Sequence, residues 1–567
     1  MTSECLDAGI VIVGGGAAGA KAAIDAHEKG LQPLIISKGL LGKSGCSIFA
    51  GHILMGGDSK RDMLEMNVRY LNHYLVDQDY ILESGQWLGE NFFREFEGKG
   101  IYFRRGKKGE LVTSQGPVRV GAAHKQGANG VLLMDLRRRE ILAKKIPLLE
   151  ETVVTSILTA DGGAVGVTAL DMRTGAFYVV RAKAVILATG SSDGLSVRST
   201  ATREQSADGL AMAIRAGAEL QNLEIHWWHV CDTAEPRAWM RLHNYPNPLM
   251  GTAQTARLEN ALGDVFFEQK RNPISIAPYT DQIRRLAQQV EGGRAAWDGK
   301  YFVSYAHIEQ QEILPYIDTL KFWIKRRLDP GKDKVECGIT QHYRQGGIHT
   351  NPRTMETSLS GLYAPGAVGG HNLGGFGPVT YDAMLAVQSA EHRAHRTGWP
   401  SIDDLQIQRE KQRVCALLRP RPDGGVSPME VKNHIRRIMW EQMSYVKNEK
   451  KMNMALARLG DVRREVIPQM GLPNVSRNFN TAWIDALDVM SMLDVCEATV
   501  HSAKHRCESR GPFFREDYPY SDNKNWLRKV IMKKLGDEIQ FTSAPYEMKY
   551  VQPRRDLDPF FDTATDY

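Results

Sequence analysis

The sequence predicts an α/β fold: a two-part Rossmann-like dinucleotide-binding domain and a helical C-terminal region. Three observations carry this. A glycine fingerprint joins an apolar strand to a helix in "IVIVGGGAAGAKAAIDAHEKG". A second apolar strand, Ala184 to Ala188, returns after more than a hundred residues to a small Thr189-Gly190 end. A Pro/Gly-rich break, "RPRPDGGVSP" at 419–428, then sets off a charged, helical stretch.

The first unit reads strand, turn, helix, strand. Ile10 to Val13 is an apolar β run, Gly14-x-Gly16-x-x-Gly19 follows at once, Ala20 to Lys29 has helical character, and Leu34 to Ser37 is a second apolar strand. Gly14 is expected to make the tight turn, Gly16 to let backbone approach a pyrophosphate, and Gly19 to let helix and strand pack closely, with the helix N-terminus facing the phosphates. An NAD enzyme places an acid on the ribose after the second strand; here Ser37-Lys38 stand there, which disfavours NAD. The strand returning to Thr189-Gly190 is how two-part flavin-binding domains complete a cofactor groove. There is no second strand–GxGxxG–helix unit.

Composition excludes other classes. The 567 residues are 42% hydrophobic and 24% charged, ordinary for globular domains with real cores. The net charge of +6 comes from short clusters such as Arg137-Arg138-Arg139 and Arg326-Arg327, interleaved with apolar positions, which reads as solvated helix faces rather than a nucleic-acid surface. Seven cysteines without a C-x-x-C pair hold no readable iron–sulfur or zinc site, so no metal is expected in this chain. Scattered single cysteines and an N-terminus without a signal pattern read as cytoplasmic. No apolar run approaches the roughly 18 residues a membrane helix needs, so any membrane association is expected through a partner.

The loop "GLLGKSGCSIFAGH", 39–52, offers a thiol, a covalent attachment point or a cradle. A redox disulfide needs two neighbouring cysteines and Cys46 has no companion, which makes it a small packing residue. Beyond the break, Ser427-Pro428-Met429-Glu430 is a capping box with proline at the first helical position, and Trp483, Leu487, Met490 and Leu493 recur at helical spacing.

The chain resembles the flavoprotein subunits of the succinate dehydrogenase/fumarate reductase family, a group that includes L-aspartate oxidase and the adenylylsulfate reductase α subunit. The resemblance rests on Gly14 to Gly19, "KSGCSIFAGH", "ADGLAMAIRAGAEL" (207–220), "GITQHYRQGGIHTNPRTMETSLSGLYAPGAVGG" (338–370) and "DVCEATVHSAKHRCESRGPFFREDYPYSDNKNW" (494–526). It implies an FAD-binding domain over 1–228 and 336–395, an inserted α+β capping domain over 229–335, and a C-terminal helical domain over 420–567. It also implies a cofactor site of Gly14, Gly16, Ala18 and Gly19; of Ser37, Lys38, Lys43, Ser44 and Gly45; of Val154, Ala188, Thr189, Gly190 and Asp208; and of Gly366, Asn372 and Gly374.

Respiratory members carry a covalent FAD-bound histidine after an Arg-Ser pair. Here Lys43-Ser44 is followed by Gly45, and His52 lies too far along the loop, so the resemblance implies noncovalent FAD. On the substrate side, His229 lacks the following Pro-Thr, and His342-Tyr343 precedes Gly346-Gly347 as expected. Asn372 stands where an arginine clamps a carboxylate, and a neutral amide does not replace a bidentate guanidinium. Gly366-Ala367 replaces the usual Gly-Glu. Arg284, with Arg285 beside it, matches the capping-domain arginine that delivers a proton, or both lie on an exposed helix face. His226, Trp227, Trp228, His229, Trp239 and Tyr245 either line a pocket for a larger, flatter substrate or pack the core.

The expected activity is hydride transfer between noncovalent FAD and an activated carbon–carbon bond of a substrate other than a C4 dicarboxylate, with Arg284, His342 and His229 catalytic. An adenylylsulfate reductase α-like flavoprotein is the first alternative, on Ser44-Gly45 and the tail "SAPYEMKYVQP". The second is an FAD-binding electron-transfer or assembly subunit without substrate chemistry. Besides the small-molecule substrate, the partners left open are a second copy of the chain and an iron–sulfur electron-transfer subunit.

Overall fold

The computed structural model describes residues 3–50, 55–56, 60–101, 103, 119–120, 129–233, 257–268, 277–304, 306–307, 309 and 327–553, apart from 192, 297, 298, 330 and 372–374. The centre is a seven-stranded sheet. Its path runs β5 (Leu148–Leu149), β2 (Pro33–Ile36), β1 (Ser3–Val13), β8 (Phe177–Leu187), β7 (Gly163–Asp171) and β6 (Thr152–Ala160), with β16 (Leu362–Tyr363) added beside β8. The β1, β2, β5, β8 and β16 contacts are parallel, whereas β6, β7 and β8 form an antiparallel run. Parallel strands covered on both faces are continuously apolar, and Ile10 to Val13 are accordingly all buried.

One face of this sheet takes the alanine-rich Ala17–Glu28 helix and the Phe376–Arg396 helix. The other packs on the C-terminal helices, among them Thr481–His505, whose residues are buried nearly all round. Trp483 anchors that helix: it is 1% exposed, and its indole N–H donates to the Val414 carbonyl at 2.9 Å. Truncating such a side chain to alanine costs about 3–5 kcal/mol.

A second, five-stranded sheet has the order β10 (His226–Asp232), β14 (Val335–Arg344), β13 (Tyr301–Ser304), β11 (Arg257–Glu259) and β12 (Val265–Glu268), covered by the Ala277–Glu291 helix. β10 and β14 straddle the expected domain limits at 228/229 and 335/336, because their mutual pairing, not the chain break, defines the sheet. Tyr445 of the C-terminal region is part of this sheet's core.

The C-terminal region is not purely helical. β19 (Arg528–Leu535) and β20 (Glu538–Pro545) form a hairpin that joins β9 (Leu220–Gln221) and β15 (Gly347–Ile348) in a four-stranded sheet. In "RKVIMKKL" the run Val530, Ile531 and Met532 is buried between partly exposed basic residues. Two short pairs complete the strands: β3 (Met55–Gly56) with β4 (Arg119–Val120), and β17 (Val446–Lys447) with β18 (Phe514–Arg515).

Candidate active site

The glycine turn is built for close approach. Gly14 has φ +116°, its N–H donates to the Ile36 carbonyl at 2.8 Å, and a Cβ on it would collide with the Ala188 carbonyl oxygen. A Cβ on Gly19 would collide with the Gly14 carbonyl, whereas one on Gly16 would meet only Ser47 Oγ, at 3.1 Å. The N-cap residue, Gly16, has no side chain to cap the Ala17–Glu28 helix; Ser47 Oγ accepts the Ala17 N–H at 3.0 Å instead, so the 39–47 loop lies against the helix start. The absent Cβ atoms leave the backbone of this turn open to close approach, the arrangement that suits a pyrophosphate.

Around that cradle the chain brings together several expected residues. Ala188 N–H donates to Val13 at 2.7 Å, and Gly190 has φ +80°. Thr189 Oγ1 is buried against Gly209, with no hydrogen-bond partner among the described residues. Gly366, φ +78°, lies so close to the first turn of the helix that its Cβ would sit 3.3 Å from that of Ala18. Gly45 has φ +73° and open space where a Cβ would be. Behind it Cys46 Sγ reaches Gln205 Oε1 at 2.7 Å, and burial, reinforced by Asp193, pushes its thiol up to about 12, so it is protonated and not a nucleophile.

Other expected cofactor residues are engaged within the protein. Lys38 Nζ contacts Asp208 at 3.2 Å, Asp488 at 2.7 Å and Ser206 at 2.6 Å, tying Lys38 and Asp208 to the Thr481–His505 helix. Lys43 pairs with Asp135 at 2.8 Å, and Ser44 Oγ donates to the Leu40 carbonyl at 3.0 Å, closing its own turn. Ser37 is buried, its N–H donating to Leu149 at 2.8 Å, and Val154 packs in the core from β6. Asn372, Gly374, His52, Trp239 and Tyr245 lie outside the described residues. Arg284 is on the Ala277–Glu291 helix, and its side chain also lies outside them.

β10 and β14 bring His229 and His342 together, ring centroids 4.0 Å apart and planes at 76°. Burial lowers the His342 imidazole to about 4. Burial, and then His342 beside it, hold His229 well below the imidazole range; His226 is lowered by burial, Arg344 and Lys447. All three rings are neutral at physiological pH. Trp228 packs in the core of the five-stranded sheet, and Trp227 is buried against His73, centroids 5.5 Å apart. Among the described residues no three His, Cys, Asp or Glu are placed to hold a metal, and no helix is long and apolar enough to cross a membrane.

The model of an FAD binding domain matches residues 9–379, and that of the fumarate reductase flavoprotein C-terminus matches 432–557. The chain belongs to the fumarate reductase/succinate dehydrogenase flavoprotein family. It is an FAD-dependent oxidoreductase of that family. It is 26% identical to a fumarate reductase (CoM/CoB) subunit of Methanothermobacter marburgensis over 94% of this chain and 98% of that protein. It is 24% identical to the 8-methylmenaquinol:fumarate reductase flavoprotein subunit of Wolinella succinogenes, over 94% and 89%. Its fold is that of Mycobacterium smegmatis Sdh1 in complex with UQ1, with TM-score 0.84, 23% identity, and 97% and 96% of the two chains covered. Archaeoglobus fulgidus adenylylsulfate reductase shares it too, with TM-score 0.78, 19% identity, and 97% of each chain covered.

In this family member, several site residues have no motif to announce them. Asp382, on the Phe376–Arg396 helix, accepts the Tyr80 hydroxyl at 2.6 Å and the Gly366 N–H at 3.1 Å, and lies 3.1 Å from His371 Nε2. It thereby joins the turn touching the fingerprint to the residue preceding Asn372. Thr200 Oγ1 lies 2.7 Å from His342 Nδ1. The Tyr80–Asp382 and Thr200–His342 contacts span distant segments, and no local spacing signals them.

Proposed function

We propose that this chain holds FAD noncovalently and transfers a hydride between the flavin and an activated carbon–carbon bond of a substrate other than a C4 dicarboxylate. The paired neutral imidazoles of His229 and His342, 4.0 Å apart, carry this reading, because they place a polar pair without fixed charge on adjacent strands of the five-stranded sheet. The cradle of Gly14, Gly16 and Gly19 fits a dinucleotide, and a glycine at φ +73° in place of the attachment histidine supports noncovalent binding. FAD, when bound, supplies the two-electron carrier.

The chain's own residues do the rest. The fingerprint and Thr189-Gly190 bind the cofactor, the His229–His342 pair orients the substrate, and Arg284 moves the proton on the carbon next to the hydride. In this reading residues 1–228 and 336–395 hold the flavin, 229–335 cap it, and 420–567 buttress both. The relatives are named as subunits, which supports electron exchange through a separate iron–sulfur partner, with any membrane contact made through that partner.

An absorbance spectrum of purified protein before and after acid precipitation tests the cofactor: FAD in the supernatant is expected, and flavin in the pellet overturns the noncovalent reading. Arg284→Ala is expected to retain FAD and lose about 100-fold or more in turnover of reduced flavin with enoate substrates. Unchanged turnover removes Arg284 from the proposal.

A further inference from the structure

His342 is the extra residue of a β-bulge. Across the β10–β14 pair, Trp227 faces Tyr343 and Trp228 faces Gln341, so His342 has no cross-strand partner. Bulges re-aim a side chain and take the bulged residue out of the regular ladder. The neighbouring segment compensates: Thr200 N–H donates to the Gln341 carbonyl at 2.9 Å, which brings the Thr200 hydroxyl onto His342.

That hydroxyl makes two contacts, 2.7 Å to Nδ1 and 3.3 Å to the His342 carbonyl oxygen. It has one proton, and a carbonyl can only accept. With one proton for each contact, both are served when the hydroxyl donates to the carbonyl and accepts from Nδ1–H. The ring is neutral at physiological pH, so its single proton is then on Nδ1.

We propose that Thr200 locks His342 with Nδ1 protonated and Nε2 bare, so that the site takes a substrate presenting a hydrogen-bond donor there, a hydroxyl or amide N–H, in place of a carboxylate oxygen. A carboxylate against a bare imidazole nitrogen sets acceptor against acceptor, with no proton to share. The neutral His229 ring at 4.0 Å adds no cation to offset that repulsion. The sequence agrees, since Asn372 stands where a carboxylate-clamping arginine is expected. Thr200 is a positioning residue, and the substrate class deepens the oxidoreductase reading on which it rests.

Long-range proton–nitrogen NMR of holoprotein labelled with ¹⁵N-histidine, with His342→Asn to assign the signal, reads the tautomer without turnover. Nδ1–H with unprotonated Nε2 is expected in the wild type and in Thr200→Ser, and a proton on Nε2 overturns the proposal. Titration of oxidised holoprotein with fumarate and with its monoamide, followed in the flavin spectrum, reads the substrate class. The monoamide is expected to bind about tenfold tighter or more. That preference is expected to survive in Thr200→Ser and collapse in Thr200→Val; fumarate binding as tightly as the monoamide to the wild type overturns it. Flavin content and dithionite reduction, measured on the same samples, report the oxidoreductase reading separately, since flavin-free protein sinks that reading whatever the His342 tautomer is.

Discussion

The ammonium of Lys38 and the carboxylate of Asp488 meet at 2.7 Å across 450 residues of chain. Lys432 closes the other side of Asp488 at 3.0 Å and also reaches Asp485 at 2.8 Å, so the second strand of the nucleotide unit is clamped to two C-terminal helices through nearly dry ion pairs. Burial pulls the Lys38 ammonium down, but Asp208 and Asp488 outweigh it and raise its ionisation above the usual lysine value. For Asp488 burial raises and Lys38 and Lys432 lower, with a net shift below the usual carboxylate range.

Asp488→Asn is therefore expected to cost about 1.5–3 kcal/mol at neutral pH, since it removes one charged partner from each of two buried ammonium groups, which keep Asp208 and Asp485. The sign with pH follows from the lowered carboxyl. Its contribution is complete above the unfolded value of about 3.9 and is lost as pH falls through the folded one. Denaturant unfolding of wild type and variant should show the gap narrowing in acid; a gap constant with pH contradicts the ion-pair account.

The fingerprint glycines should separate by what a Cβ meets. Gly14→Ala collides with the Ala188 carbonyl at a φ of +116°, so about 1–3 kcal/mol of backbone strain adds to a steric clash in the cradle. Flavin absorbance per protein is expected to fall severely. Gly45→Ala meets nothing and keeps only the positive-φ penalty, about 1–2 kcal/mol, with flavin retained.

Lys447 is 3% exposed, donates to the Tyr445 carbonyl at 2.8 Å, and has no carboxylate within ion-pair distance among the described residues. Burial, then Arg515 and Lys451, lower its ammonium to about 7. A lysine whose folded value is depressed binds fewer protons folded than unfolded, so stability should rise between about pH 7 and pH 10.4. Lys447→Met is expected to stabilise by on the order of 4 kcal/mol near pH 6, with the gain vanishing near pH 10. Thermal melts at the two pH values decide it, and an equal gain at both contradicts the burial penalty.

Local order was legible in the sequence. The fingerprint strand appears as Ser3–Val13, longer than the four apolar residues that announce it, because its outer half pairs with β8 without needing to be apolar. The capping box at Ser427 and Glu430 is present as its spacing implies. The β19–β20 hairpin was not legible because its buried run, Val530 to Met532, is only three residues long and is flanked by basic ones.

At the site, residue types were legible and their commitments were not. Lys43 and Ser44 stand in the expected loop, yet their polar atoms are bonded to Asp135 and Leu40. The glycine positions ask only for backbone geometry, which is a local property. The partners of polar side chains are not local, because a hydrogen bond goes to whichever group folding brings within reach.

By itself the sequence determined a nucleotide cradle, a returning strand and a family resemblance, since all three rest on contiguous residues whose backbone demands are local. Only the tertiary structure decided that Lys38 serves Asp488, that Asp382 joins Gly366 to His371, and that His342 is a bulge held by Thr200. Those relationships depend on groups from different elements, 11 to 450 residues apart, meeting in a medium from which water is largely excluded. There each polar group takes the partner that packing places beside it.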